Sequence, residues 1–266
     1  MPLRPIVGGI AAAIVVIIAY HRQSLSKGGA IAALMLGIVC ATAGWGWAAL
    51  LISFFVSGTL LSRYKSARKA ARIGGVVEKN GNRDAIQVLA NGGVFSAAAM
   101  ATLFSGSAVW FCAGAGAVGA AAADTWATEM GVLSDSPPRT ILRRRTVMPG
   151  ESGGVTAVGN FAALIGGLAM AVVAYLAGWT VASVIAALVG GIGGSTIDSI
   201  LGETLQVRRR CERCEATTER SIHDCGTITT VAAGLPWMDN DVVNALSTFG
   251  GAIIGLLVYL TNSAMT

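Results

Sequence analysis

Apolar residues gather into eight runs near residues 5–20, 28–44, 46–62, 87–105, 108–130, 154–178, 180–205 and 240–262. A bilayer-crossing helix needs about 17–25 predominantly apolar residues, so each run predicts a span, the first two being short. Three connections are tiny and uncharged, around Gly44, Ser105-Gly-Ser107 and Ala177-Gly-Trp179. The other four carry nearly all the charge. The pattern predicts an all-α, polytopic membrane protein of about eight transmembrane helices in a single domain over 1–266. Its long loops are expected at about 63–86, 131–153 and 206–239, with its polar site at one membrane boundary.

Composition agrees with that reading. The 266 residues are 54% hydrophobic and 12% charged, against about 25% charge in soluble domains. A pI near 9.2 would suit a nucleic-acid binder, but the basic residues lie between spans and have another cause. Eighteen of the nineteen Lys and Arg fall in the four charged loops, leaving only Arg4 opposite. The positive-inside rule then places those loops in the cytoplasm and both termini outside a cell membrane. Membrane lipid is the expected partner and nucleic acid is not.

One pattern occurs twice, 74 residues apart. Gly116-Ala-Val-Gly119 is followed by Asp124-Thr-Trp-Ala-Thr-Glu129, and Gly190-Gly-Ile-Gly193 by Asp198-Ser-Ile-Leu-Gly-Glu203. An ionisable side chain at membrane depth costs roughly 3 kcal/mol or more, so each carboxylate is a functional-site candidate. The five-residue step from Asp to Glu turns a helix by about 500°, leaving the two roughly 140° apart. One helix alone is therefore a poor chelator. Two such helices meeting through their small residues could aim Asp124 and Asp198 at a common point.

The charged loops supply the complementary chemistry. Lys65 and Arg83 flank a basic stretch that also contains Glu78 and Lys79, followed by Gln87 and Asn91-Gly-Gly93 at the entry to a span. Such a basic segment can attract anionic lipid or clamp phosphate. Arg145 precedes Pro149-Gly150-Glu-Ser-Gly153-Gly154, a glycine-rich turn that opens a helix. Free backbone N–H groups at a helix start suit phosphate, although the Walker ending Gly-Lys-Ser/Thr is absent. Asp239-Asn240-Asp241-Val-Val-Asn244 begins the last span. Capping explains one of these polar residues but not all. Cys211, Cys214, His223 and Cys225 form C-x2-C-x8-H-x-C, which leaves open a structural Zn²⁺ site or no metal. Cys40 and Cys112 sit in apolar runs and read as packing residues.

Facing carboxylates beside basic, glycine-rich loops describe a Mg²⁺–phosphate site, because Mg²⁺ is held by one or two carboxylates plus substrate phosphates. Asp124 and Asp198 would hold Mg²⁺, with Glu129 and Glu203 supporting them or a second ion. Lys65, Arg83 and Arg145 would clamp phosphates, Gly150, Gly153 and Gly154 would cradle them, and Asn91 and Asn244 would orient them. Three other readings stay open: acids that pair with Lys or Arg and merely fix helix register, a transporter or flippase of phosphorylated lipid, and a non-catalytic scaffold.

Gln87-Val-Leu-Ala-Asn91-Gly, Ala122-Ala-Asp-Thr-Trp-Ala-Thr-Glu-Met-Gly131, Pro149-Gly-Glu-Ser-Gly-Gly-Val155, Gly194-Ser-Thr-Ile-Asp-Ser-Ile-Leu-Gly-Glu-Thr-Leu-Gln206 and Asp239-Asn-Asp-Val-Val-Asn244 lie in order along the chain. Together they resemble the transmembrane protein 19 family, also called domain of unknown function 92. Its characterised plant members look like phytyl-phosphate kinases, which raise a prenyl monophosphate to the diphosphate using a nucleoside triphosphate. Distantly related membrane kinases use CTP. The resemblance implies a membrane kinase of phytyl or a similar prenyl phosphate. It also implies a site lined by Lys65, Arg83, Asn91, Asp124, Glu129, Asp198, Glu203, Asn240, Asp241 and Asn244. This chain departs from the pattern at Leu60, where a lysine is expected, and its cysteine-bearing loop belongs to only some relatives.

Overall fold

The computed structural model describes residues 3–73, 76 and 81–265. Glu78 and Lys79 of the basic stretch lie outside the described residues. Eight long helices coincide with the eight apolar runs to within a few residues: α1 (Leu3–His21), α2 (Lys27–Ala43), α3 (Trp45–Arg63), α5 (Ala85–Ser105), α6 (Val109–Gly131), α7 (Ala157–Leu176), α8 (Val181–Thr204) and α9 (Asn240–Met265). A ninth, α4 (Ser66–Ile73), is the short basic helix between α3 and α5. Six of the long helices are individually apolar and long enough to span a membrane. α2 has only 17 residues, and α6 carries Asp124 and Glu129 among alanines and glycines, which lowers its hydropathy.

The longer loops are not purely irregular. β1 (Arg139–Thr140) pairs with β2 (Gly154–Val155), and β3 (Arg208–Cys211) forms the centre of an antiparallel sheet between β4 (Ala216–Thr218) and β5 (Thr230–Ala233). Strands of two to four residues leave no alternation long enough to read from the sequence. The fold is otherwise helical, as expected.

α6 is the axis of the bundle. Every residue from Cys112 to Ala123 is buried, and α5, α7, α8 and α9 surround it. Its glycines make this possible. A Cβ on Gly116 would strike the carbonyl oxygen of Gly251 in α9, and one on Gly119 the carbonyl of Ala187 in α8. Across the contact, Gly190 lies on the Cα of Gly116 and Gly191 on Gly119, so α6 and α8 run parallel in register. The second copy uses Gly190, Gly191 and Gly194 against α6. Gly193, the expected partner in the motif, instead meets Ile254 of α9. At 100° per residue, Gly193 lies about 60° from Gly190 on the side away from 191 and 194, which turns it from α6 toward α9.

At the end with short connections, Trp47 is 1% exposed and stacks among Phe95, Phe111 and Trp179, with ring centroids 4.7–5.3 Å away. Gly114 leaves the space for the Trp47 ring. Apolar packing therefore closes one end of the bundle, and the charged loops cover the other.

Adding one methyl group to two glycines should separate packing from helix propensity. Gly119→Ala drives a Cβ into the Ala187 backbone and should destabilise by about 1–3 kcal/mol. Gly93→Ala, which meets nothing within 4 Å, should stabilise by up to about 1 kcal/mol. Thermal unfolding in detergent checks both. Equal effects at the two positions would exclude close packing at Gly119.

Candidate functional site

The in-register pairing of α6 and α8 carries straight on to the acids. Asp124 and Asp198 are both eight residues beyond glycines that touch, Gly116 and Gly190. Their carboxyl groups lie within hydrogen-bonding reach of one another. The Ser247 hydroxyl of α9 approaches Asp198, whereas Asp198 Oδ2 is sealed from solvent with no hydrogen-bond donor. Neither acid forms an ion pair with a lysine or arginine among the described residues. Two facing carboxylates at membrane depth need a shared proton or a cation between them, because the low-dielectric surroundings amplify their repulsion. The arrangement can accept a cation.

Glu129 and Glu203 do not join this pair. Glu129 forms a 2.5 Å ion pair with Lys69 of α4, whose side chain is 8% exposed, and it supplies opposite charge to Arg83. Glu203 accepts hydrogen bonds from the backbone N–H groups of Leu142 (2.8 Å) and Arg143 (2.9 Å), with Thr140 also in reach. It anchors the arginine loop. The 140° divergence expected from the spacing is what sends the glutamates elsewhere.

The basic and glycine residues are divided among several places. Lys65 is exposed at the end of α3, with a left-handed φ of 50° and its ammonium 5.1 Å from the Tyr64 ring. Four residues on, Lys69 is the buried lysine. Arg83 extends into the bundle, over Phe55 and against Gly58 and Thr125. Arg145 is exposed and lies 3.7 Å from Glu151. Gly150 and Gly153 take left-handed φ values of 87° and 77°. Their turn does not directly open α7, because β2 intervenes and Thr156 caps the helix by accepting from Gly159 N–H. Instead Gly153 presses on Gly202 and Glu203 at the C-terminal end of α8, where no side chain would fit. Gly154 is similarly confined by Val147 and Pro138. The end of α8 carries a negative partial charge, so this contact is no anion cradle.

Asn91 turns its Nδ2 back to the Gln87 carbonyl (3.0 Å), and Gln87 closes a capping box with Asp84. Both amides nevertheless line one end of a cavity of about 320 Å³ bounded by α1, α2, α3, α5 and α6. Arg83 and Thr125 share that polar end. The remaining walls are apolar, among them Val15, Leu36, Ile52 and Phe55.

At the start of α9, Asp239 is the cap, accepting from Val242 N–H at 3.0 Å. Asn240 is exposed, Asp241 is 5% exposed and Asn244 is half-buried. Asp241, Asn244 and Ser247 recur every three residues and share a helix face. That periodicity was the available sign of Ser247, which sequence reasoning passed over. The sign for Lys69 was weaker: an acidic residue on α6 with no basic partner on its own helix.

Cys211, Cys214, His223 and Cys225 come together at the edge of the β3–β5 sheet, their ligand atoms all within 4.8 Å of one another. The Thr227 hydroxyl, with His223 beside it, pulls the Cys225 thiol down to about 5. Cys40 and Cys112 are buried and contact Ser96 and Ser183.

A family model described as integral membrane protein DUF92 matches residues 10–252, and the chain belongs to that family. It is 30% identical over 254 residues to Protein PGR of Arabidopsis thaliana, covering 86% of each chain. An uncharacterised membrane protein of Methanocaldococcus jannaschii is 28% identical over 90% of this chain and 87% of its own. One from Synechocystis is 25% identical over 84% and 78%. No solved structure matches.

The buried ion pair can be tested by stability. Lys69→Met leaves Glu129 without its lysine and should cost about 3 kcal/mol. Adding Glu129→Gln removes the orphaned charge and should recover part of that loss. An unchanged melting temperature for Lys69→Met would show that the pair does not hold α4 in place.

Proposed function

We propose that this DUF92-family membrane protein is a prenyl-phosphate kinase, transferring the γ-phosphoryl group of a nucleoside triphosphate, CTP being the first candidate, to phytyl or a similar isoprenoid monophosphate. The observation that carries the reading is the facing pair Asp124 and Asp198, with a sealed, donorless Asp198 Oδ2 and no basic partner among the described residues. Those residues fit Mg²⁺, a hard cation that takes oxygen ligands. When bound, it would supply charge neutralisation to the phosphates.

The acceptor's chain suits the apolar cavity, and its phosphate suits the end formed by Arg83, Gln87, Asn91 and Thr125. Thr125 directly follows Asp124, so the cavity's polar end adjoins the acids along α6. A phosphate oxygen of the acceptor attacks the γ-phosphorus while the bond from that phosphorus to the β–γ bridging oxygen breaks. The products are the prenyl diphosphate and a nucleoside diphosphate. The acceptor oxygen is already ionised, so no side chain has to remove a proton. Arg83 orients and neutralises the acceptor through charge-assisted hydrogen bonds. Asp241 and Asn244 extend the polar face toward the nucleotide. Lys65 and Arg145, exposed at the loop end, serve its approach, and Glu129 acts by holding Lys69 and balancing Arg83. Glu203, Gly150, Gly153 and Gly154 shape the floor beneath it rather than touch phosphate. The charged loops face the cytoplasm in this reading, by the positive-inside rule.

The test is diphosphate formation by purified protein in lipid nanodiscs with Mg²⁺, each ribonucleoside triphosphate in turn, and phytyl or geranylgeranyl monophosphate. Asp124→Asn and Asp198→Asn should each lower turnover by at least about 100-fold while the protein remains folded. Ala33→Phe, which intrudes on the apolar cavity, should raise KM for the prenyl substrate and leave that for nucleotide unchanged. No product with any pair of substrates from folded wild-type protein would exclude the kinase.

A further inference from the structure

The sheet that follows α8 contains a cluster with no part in phosphoryl transfer. Cys211 ends β3, and Cys214 lies in the turn that joins β3 to β4. His223 and Cys225 lie in a second tight loop, closed by His223 N–H donating to the Thr227 carbonyl at 2.9 Å and by the Ile222–Ile228 bridge. Each pair is followed by a residue in the left-handed region, Glu215 at φ 51° and Gly226 at φ 80°. That backbone reversal turns both pairs inward.

We propose that Cys211, Cys214, His223 and Cys225 bind one structural zinc ion. Zinc–sulfur bonds of about 2.3 Å and zinc–nitrogen bonds of about 2.0–2.1 Å at tetrahedral angles separate ligand atoms by roughly 3.5–3.8 Å. Cys211 Sγ and Cys225 Sγ are 3.6 Å apart, His223 Nδ1 and Cys225 Sγ are 3.3 Å apart, and no pair of the four ligand atoms exceeds 4.8 Å. All three cysteines are free thiols rather than disulfide-bonded. Three sulfurs and one imidazole fill four positions, leaving none for substrate, which makes the site structural.

Its role follows from what the sheet holds. Arg208 of β3 lies 3.6 Å from Glu151 and donates to the Glu203 carbonyl at 3.2 Å. Glu219, just beyond β4, accepts from Ser152 and from Gln206 Nε2. Glu151 and Ser152 belong to the glycine-rich turn, so the sheet clasps that turn onto the end of α8. Three short strands bury too little to hold such a shape without a cross-link. Zinc closes the two loops onto each other and fixes the clasp.

The experiment is metal analysis of the full-length protein, purified in detergent without metal-chelating resin. About one zinc per chain is expected in the wild type. Cys214→Ser and Cys225→Ser should each reduce zinc at least about tenfold. Chelation of the wild type should release the metal, make Cys211, Cys214 and Cys225 alkylatable, and open residues 206–239 to protease while the membrane helices stay folded. Zinc-free wild type with reactive loop thiols, a disulfide within the cluster, iron in place of zinc, or metal retained by both variants would each overturn the proposal. Kinase activity is not the readout, so failure here leaves the phosphoryl-transfer reading untouched.

Discussion

The absence of side chains along one seam of α6 determines how the rest of the bundle is arranged. Gly116 and Gly119 let α8 and α9 approach until backbone meets backbone, with Gly190, Gly191, Gly251 and Gly255 across the contact. In a bilayer, lipid is as apolar as leucine, so association relies on dispersion contacts that only small residues bring close enough. A seam of this kind has one good register, because each missing Cβ faces a particular carbonyl. The register in turn forces Asp124 against Asp198, which neither helix would tolerate through electrostatics alone. Packing energy from about two turns of glycine and alanine therefore holds a repulsive pair in place.

Charge is resolved differently at each acid. Glu129 has Lys69, Glu203 has two peptide N–H groups, and Glu151 has Arg208 and Arg145 nearby. Glu129 joins α6 to α4, Glu203 joins α8 to a loop, and Glu151 joins its turn to β3. Asp198 is different: its neighbours are another carboxyl group, a hydroxyl, and a sealed space. A structural acid placed at such cost is expected to find a protein cation or a set of donors. The contrast within one chain, under one set of folding constraints, singles out this pair as a candidate site rather than a structural contact.

The eight helices were legible because length and apolarity over some twenty residues constitute a strong signal, little affected by tertiary context. The repeat was legible too, and its spacing correctly separated each aspartate from its glutamate. What the glutamates meet was not. The donors to Glu203 are backbone groups some sixty residues away, and backbone leaves no mark in the sequence. The glycine turn illustrates the same limit. Its composition suits phosphate, yet the left-handed φ at Gly153 and its contact with Glu203 show glycine selected for close approach to a helix. Lys65 and Lys69 look equivalent as letters. Only the docking of α4 buries one and leaves the other exposed.

The loops are also more than topology signals. Arg208 ties the β3–β5 sheet to Glu151 and to the Glu203 carbonyl near the end of α8, and Glu219 ties it to Ser152. The Glu203 side chain ties α8 to a second segment, the loop that carries Leu142 and Arg143. The end of α8 is thus held by two separate segments, and Asp198 lies just over one turn below that grip. A helix end left to fray would let the Asp198 carboxyl swing away from Asp124 and relieve the repulsion. The grip removes that escape. Glycine packing fixes the pair from the membrane side and the loop clasp fixes it from the water side, so the two acids stay opposed.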